Sequence, residues 1–320
     1  MTQYLVRRIL QTIPTFFGIT LIAFFLINAV PGSPVNDIAL SDPNIKPEDL
    51  ARIRASLGLD KSVPERYLSY VTDLVQGNFG MSLIQRGVKV SDLIVDRVPQ
   101  TLLLTGTALL IALIFAIPMG VFSAVKQYSW LDNLSTILSV GGAAIPGFWL
   151  ALMTILLFSL EFKWFPTGGM TDARRAGTDP VDVLWHLVLP ALVVAFLEIA
   201  AYNRYIRAAM LDVIRQDYVR TARAKGLGER IVIFKHALRN AMIPFITLLG
   251  LRLPGLIGGA LIIETIFTWP GMGRLAFTAA TQRDYPVIMG VVVIASVLTM
   301  LGNLLADVAY AFLDPRIKYG

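Results

Sequence analysis

Residues 98–125, VPQTLLLTGTALLIALIFAIPMGVFSAV, form an uncharged and mostly apolar run that decides the class of this fold. A helix needs about 20 such residues to cross a bilayer, and this run is longer than that. The runs 9–36, 133–160 and 285–306 are also long enough and uncharged, and 183–203 and 240–263 are long enough with one charged residue each. We therefore predict an all-α membrane protein with six transmembrane helices.

The composition agrees with a membrane protein and excludes several kinds of chemistry. Of the 320 residues, 55% are hydrophobic and 16% are charged, whereas an average soluble domain carries about 25% charged residues. The absence of cysteine excludes disulfides, thiol nucleophiles and cysteine metal sites. No Gly-Lys dipeptide occurs, so the chain has no Walker A phosphate loop. We expect no cofactor on this chain, and any ATP must be hydrolysed by another polypeptide.

The distribution of basic residues predicts how the chain is oriented in the membrane. Segment 204–239 carries nine Lys and Arg residues against three Asp and Glu, and Arg7 and Arg8 precede the first apolar run. Segment 31–97 instead has eight bases and nine acids. Since basic loops stay on the cytoplasmic side, segment 204–239 and both termini are predicted to be cytoplasmic. The positive-inside pattern explains the basic pI without nucleic acid.

The long outer segment 31–97 combines amphipathic pieces with turn signals. It predicts helices over 47–57 and 64–76, and a third short helix over 90–98. A structureless loop of this length is uncommon in a compact protein, so we expect a small folded lobe on the outer face. A plain solvated connector remains the alternative.

Residues 217–227, DYVRTARAKGL, predict a short helix inside the basic segment. Asp217 is the expected N-cap and Gly226 the expected end. Tyr218, Ala222 and Gly226 share one helical face, which predicts a small-residue strip that inserts into a cleft on a partner. The other candidate contact residues are Arg220, Thr221, Arg223, Ala224, Lys225 and Leu227. A basic cytoplasmic loop without a partner is the alternative.

The same segment resembles a known motif. Arg220-Thr221-Ala222, followed after three residues by Gly226, is similar to the EAA-x3-G motif of ABC importer membrane subunits, with Arg and Thr in place of the motif's Glu and first Ala. Other stretches resemble the peptide-importer branch: PGSP at 31–34, GNFGMS at 77–82, RVPQTL at 97–102, AIPGFW at 144–149 and ETIFTWPGMG at 264–273. The chain thus resembles the B-type permease subunit of dipeptide and oligopeptide importers, a family that includes nickel and glutathione permeases.

The resemblance implies a type I ABC importer permease in a bacterial or archaeal plasma or inner membrane. It implies a first transmembrane helix over 1–30, an outer lobe over 31–97, a five-helix core over 98–312 with the coupling loop 204–239, and a cytoplasmic tail over 313–320. Residues 217–227 would be the coupling helix, docked on one of two ABC ATPase subunits that bind ATP and Mg. A second related permease subunit, an extracytoplasmic substrate-binding protein and membrane lipid would be the other partners, with no nucleic acid.

Two charges are predicted within the apolar runs, Glu198 and Arg252. Charges at such depth face the protein interior or water, so Arg252 either lines the path and attracts a substrate carboxylate or forms an internal pair with Glu198. The turn Trp269-Pro270-Gly271 is expected to place Trp269 at headgroup level. An ion-coupled secondary transporter or channel remains an alternative function, and glutathione or nickel remains an alternative substrate.

Overall fold

The structure is a computed structural model that describes residues 2–32, 46–56, 58–85, 87–172, 179–258 and 260–313. Within these ranges the ordered elements are helices, and the β contact found there is an isolated antiparallel bridge between Met81 and Lys89. The predicted all-α class is therefore confirmed.

The helices share their order with the predicted runs. They are α1 (Thr2–Ala29), α2 (Pro47–Ser56), α3 (Val63–Val75), α4 (Val90–Val125), α5 (Trp130–Ala144), α6 (Gly147–Thr154), α7 (Pro180–Ile214), α8 (Asp217–Ala224), α9 (Glu229–Ile231), α10 (Arg239–Gly258), α11 (Leu261–Ile266), α12 (Met272–Thr281) and α13 (Tyr285–Leu313). The π-helical stretch Ile155–Glu161 continues α6, and a second one, Val232–Leu238, joins α9 to α10.

Five helical stretches of the described chain are long and apolar enough to cross a membrane. They are Leu10–Ala29, Val90–Val125, Pro180–Ile214, Glu229–Gly250 and Tyr285–Leu305. The third predicted run, 133–160, is not one straight helix, because α5 and the α6 segment meet at an angle of 102°. Pro146 lacks an N–H and forces the preceding Ile145 into an extended conformation (ψ 123°), so the helix breaks there. The span count is thus five, or six if this bent pair is one span.

The two longest helices, α4 and α7, form the centre of the molecule. A row of alanines on α4, Ala108, Ala112 and Ala116, is fully buried, and a Cβ added to Gly120 would lie 2.8 Å from Ile206 of α7. Small residues let membrane helices approach this closely. In lipid no hydrophobic force drives helices together, so the close van der Waals packing stabilises their contact.

Polar contacts fasten α5 to α7. The buried Asn203 amide donates to the hydroxyl oxygens of Ser135 and Ser139 at 2.7 and 2.6 Å. One turn further, the Arg207 guanidinium binds both carboxylate oxygens of Asp132 at 2.6 and 2.8 Å. Two-pronged contacts of this kind fix the rotation of one helix against the other.

The segment between α1 and the core contains both predicted helices, as α2 and α3. The third predicted helix, over 90–98, is not separate, because it forms the first turns of α4. The predicted boundary between lobe and core at residue 97 therefore falls inside one continuous helix. Residues 33–45 lie outside the described ranges, and the lobe as a unit stays a prediction.

The segment 264–273 is fastened to the start of α4 by a buried carboxylate. Glu264 is fully buried; its Oε1 accepts from the Thr101 hydroxyl at 2.9 Å and its Oε2 from the Arg274 N–H at 3.0 Å. The Thr101 oxygen in turn accepts from the Met272 N–H at 2.7 Å. A Cβ at Gly271 would lie 2.4 Å from the Glu264 carboxylate, so glycine is required there.

The Trp269 side chain is enclosed by protein, and its predicted depth at headgroup level stays a prediction. Its side chain is fully buried, and its Nε1 donates to the Gln100 carbonyl at 2.9 Å. The buried indole therefore joins Glu264 in tying the α11–α12 segment to α4, instead of facing a lipid headgroup.

Candidate coupling surface

The candidate site begins where α7 ends. Arg215 closes α7, and Gln216 turns the chain with extended backbone angles (φ −71°, ψ 150°) into α8. Gln216 is therefore the N-cap, and the predicted cap Asp217 is instead the first helical residue. The Asp217 side chain is 96% exposed and faces Arg220 across 3.4 Å, so it is available to a partner. An acid in the first turn still favours the helix through the helix dipole.

The carboxyl end of α8 is set by Gly226, close to the predicted end. Gly226 has a positive φ of 76°, and its N–H donates to the Arg223 carbonyl at 2.9 Å. The Leu227 N–H donates to the Ala222 carbonyl at 3.3 Å. This pair of hydrogen bonds is a Schellman motif, in which a glycine satisfies the last carbonyls and ends the helix.

One side of α8 packs against its own chain. Val219 is fully buried and Ala222 is 6% exposed; they form a hydrophobic cluster with Val232, and Val213 packs against this cluster. Of the predicted strip, Ala222 is therefore covered by its own chain, whereas Tyr218 and Gly226 stay exposed. A small residue is needed at position 222 because the segment that leads to α10 packs against it.

The opposite side of α8 is open, and we call it the docking face. Its exposed residues are Asp217, Tyr218, Arg220, Thr221, Ala224 and Lys225, with Leu227 just beyond the helix. The Thr221 hydroxyl donates to the Asp217 carbonyl one turn earlier at 2.9 Å. Partial burial raises the pKa of Tyr218, so its hydroxyl stays neutral and able to donate.

Arg223 has a structural partner that the sequence did not predict. Its Nη2 and Nε donate to the two carboxylate oxygens of Glu229, at 2.8 and 3.2 Å. This bidentate pair spans the turn between α8 and α9. It fixes the angle at which α8 meets the helix that continues into α10.

The two predicted intramembrane charges lie together. Arg252 Nη1 is 4.0 Å from Glu198 Oε1, and the side chains are 58% and 29% exposed. The other carboxylate oxygen, Glu198 Oε2, is buried and has no hydrogen-bond partner among the described residues. The predicted internal pair is thus present as a weak, long contact that leaves most of the guanidinium accessible.

Sequence comparisons show which family this chain resembles. The profile of the family described as "Binding-protein-dependent transport system inner membrane component" matches residues 116–319, and the profile of the N-terminal part of such components matches residues 1–105. The chain is 46% identical over 319 residues to the oligopeptide transport system permease protein AppB of Bacillus subtilis, covering 100% of both chains.

Other relatives agree over the same length. A putative peptide permease protein of Brucella suis is 42% identical, with 99% of each chain covered. The glutathione transport system permease protein GsiC of Escherichia coli K12 is 38% identical, with 100% of each covered.

A solved structure supports the fold. A chain of the MetNI methionine ABC transporter superimposes with a TM-score of 0.52 at 17% identity, covering 69% of this chain and 96% of that one. With the sequence matches, this confirms the resemblance noted above and sets aside an ion-coupled secondary transporter. The chain therefore belongs to the binding-protein-dependent transport system inner membrane components, the multi-pass permease subunits of ABC importers.

Proposed function

We propose that this chain is the permease subunit through which an ABC importer passes peptides, and that the docking face of α8 couples it to a separate ATPase subunit. One observation carries the proposal: a short helix between α7 and α9 is locked to its own chain through Val219 and Ala222, while its polar and basic side is left uncovered. A helix that only closed a loop would need no such anchoring.

The contacts of α8 with its own chain define which helices a movement of the docking face would displace. α8 is joined to α7 by a turn at Arg215 and Gln216, and to the helix leading into α10 by Val232 and the Arg223–Glu229 pair. A force on α8 therefore reaches two membrane helices together. ATP binding and hydrolysis in the partner would move them between inward-open and outward-open arrangements, since a ligand shifts an equilibrium only through differential contacts.

The remaining partners follow from the family. Its members work with a substrate-binding protein, as the family description says, and two ATPase subunits and a second related permease subunit complete the proposed importer. The surplus of bases in 204–239 supports a cytoplasmic α8 and cytoplasmic termini, because positively charged loops remain inside.

Coupling is tested by single cysteines in this cysteine-free chain. Ala224→Cys lies on the docking face, whereas Ala222→Cys is 6% exposed and serves as the matched control. With a photoactivated crosslinker on the thiol, position 224 should join the ATPase subunit of the assembled importer and position 222 should not. Equal crosslinking at both positions, or none in an importer that hydrolyses ATP and transports, refutes the docking face.

We further propose that Arg252 contacts the substrate and that Glu198 positions it. The guanidinium is more than half exposed although it lies about 20 Å along α10 from Arg239. A cation at this depth is costly unless it faces protein or water. Glu198, at 4.0 Å, is near enough to orient Arg252 yet too distant to occupy its hydrogen-bond donors.

The peptide path has its own test. Arg252→Gln should lower uptake of peptides with a free C-terminal carboxylate about tenfold, while C-terminally amidated peptides lose less and ATPase stimulation is retained. Equal uptake of free and amidated peptides by both proteins removes Arg252 from substrate recognition. Whether glutathione inhibits peptide uptake by the importer tells whether this chain also passes that tripeptide, as the 38% identical glutathione permease suggests.

A further inference from the structure

Helix α3 lies beside the carboxyl-terminal half of α1, not beyond its end. The Tyr67 hydroxyl lies 3.0 Å from the Thr20 hydroxyl and donates to the Phe17 carbonyl at 3.2 Å. The rings of Tyr67 and Tyr70 both contact Phe24, with centroids 5.5 and 5.9 Å apart. Ring and hydroxyl contacts together hold α3 against the wall of a candidate membrane span.

These contacts set a depth. Thr20 is nine residues before Ala29, the last residue of the candidate span Leu10–Ala29, so it lies about 14 Å along the helix from that end. A tyrosine side chain cannot bridge that distance, and therefore the backbone of α3 at Tyr67 lies level with part of α1 that is inside the apolar layer.

The sequence of α3 divides into three sides. Successive residues turn by about 100° around a helix. Val63, Tyr67, Tyr70 and Leu74 form the side toward α1 and are half-buried. Pro64, Leu68, Val71 and Val75 form a second, apolar side, and Glu65, Ser69, Asp73 and Gln76 form a third, polar side. A helix that packs on protein with one side and has one apolar and one polar side besides is suited to the interface between membrane and water.

The second side is uncovered by the described chain. Leu68 is 66% exposed and Val75 is 76% exposed. These two residues are seven positions apart, about two helical turns, and Val71 between them is half-buried. Large apolar side chains on the candidate span of α1, among them Ile22 (62%) and Leu26 (64%), are exposed as well.

The polar side is built to remain charged. The Ser62 hydroxyl and N–H donate to Glu65 Oε2 at 2.8 and 2.9 Å. These hydrogen bonds lower the pKa of Glu65, so the carboxylate is ionised at neutral pH. An ionised side that points away from the Leu68 and Val75 stripe keeps the helix from sinking fully into hydrocarbon.

We propose that α3 is an interfacial helix whose Leu68 and Val75 side is inserted in the lipid of the leaflet that the carboxyl-terminal half of α1 crosses. The partner of this surface is the bilayer itself. The exposed apolar side chains of the candidate span in α1 would meet the same lipid as the apolar side of α3. The segment predicted as a small folded lobe on the outer face would thus, in its α3 part, be a membrane-surface element.

Spin labels on single cysteines test the proposal in the complete importer reconstituted in phospholipid vesicles. The chain contains no cysteine, so Leu68→Cys, Val75→Cys and the polar-side control Ser69→Cys each carry one label. Collisions with oxygen, which concentrates in hydrocarbon, are compared with collisions with a water-soluble nickel chelate. We expect an oxygen-to-nickel ratio roughly threefold or more higher at 68 and 75 than at 69.

Two other results of the spin-label experiment would contradict the insertion of α3 in lipid. Equal ratios at the three positions would place the apolar side in water. Low collision rates with both reagents at 68 and 75 would mean that protein, such as a second permease subunit, covers the helix. Each labelled importer is first shown to retain peptide uptake, so that a misfolded variant does not enter the comparison.

Discussion

Replacing Thr101 by valine should loosen the segment that carries the Trp-Pro-Gly turn. Valine keeps the shape of threonine but removes the hydroxyl that donates to Glu264 Oε1 at 2.9 Å and accepts from the Met272 N–H at 2.7 Å. Both partners are buried, and each buried polar group left unsatisfied costs about 1–3 kcal/mol. Local opening should therefore become easier by about 2–6 kcal/mol, so that its equilibrium constant rises roughly 30-fold or more.

Amide hydrogen exchange of the assembled importer measures this opening. Peptides that contain Met272 and Arg274 should exchange faster in Thr101→Val by roughly that factor, because exchange follows local opening. Thr154→Val is the matched control, since the Thr154 hydroxyl donates only to the Ala151 carbonyl of its own helix. If exchange near Met272 changes by less than about threefold, or equally in the control, the buried carboxylate does not hold this segment.

The remaining predictions concern α5 and α8. Arg207→Met leaves the Asp132 carboxylate, 2% exposed, without its cation and should lower the free energy of unfolding by about 2–4 kcal/mol; thermal unfolding in detergent measures it, and an unchanged midpoint contradicts the assignment. Gly226→Asn should preserve coupling because asparagine tolerates a positive φ, whereas Gly226→Val should lose transport while basal ATPase activity persists. Transport by the valine variant at the original rate would show that the Schellman ending is not needed.

The parts of the fold that the sequence predicts are those governed by local rules. An uncharged run such as 98–125 must form a helix in lipid, where every backbone group needs an internal partner. The end of α8 at Gly226 is also local, because glycine alone adopts its backbone angle without strain. The break at Pro146 follows from the missing N–H, although its angle of 102° depends on what the two halves pack against.

The features that the sequence did not predict depend on contacts between residues that lie far apart in the chain. Ala222 was expected to face a partner, but Val232, ten residues later, covers it. The burial of Glu264 was not predicted, and its hydrogen-bond donor Thr101 lies 163 positions earlier in the chain. The partner of Trp269 was not predicted either: the Gln100 carbonyl of α4 accepts its N–H. Helical periodicity carries no information about contacts across such separations.

The position of α7 explains how events at α8 could reach the peptide path. A single helix runs from Pro180 to Ile214, with Glu198 near its middle and α8 attached at its end. A hydrogen-bonded helix is stiff along its axis, so a displacement of α8 acts on the level of Glu198. Val232 carries the same displacement toward α10, which bears Arg252. In the proposed coupling, the Glu198–Arg252 contact of 4.0 Å joins the two helices that α8 would move, so unequal movement of the two would make or break it.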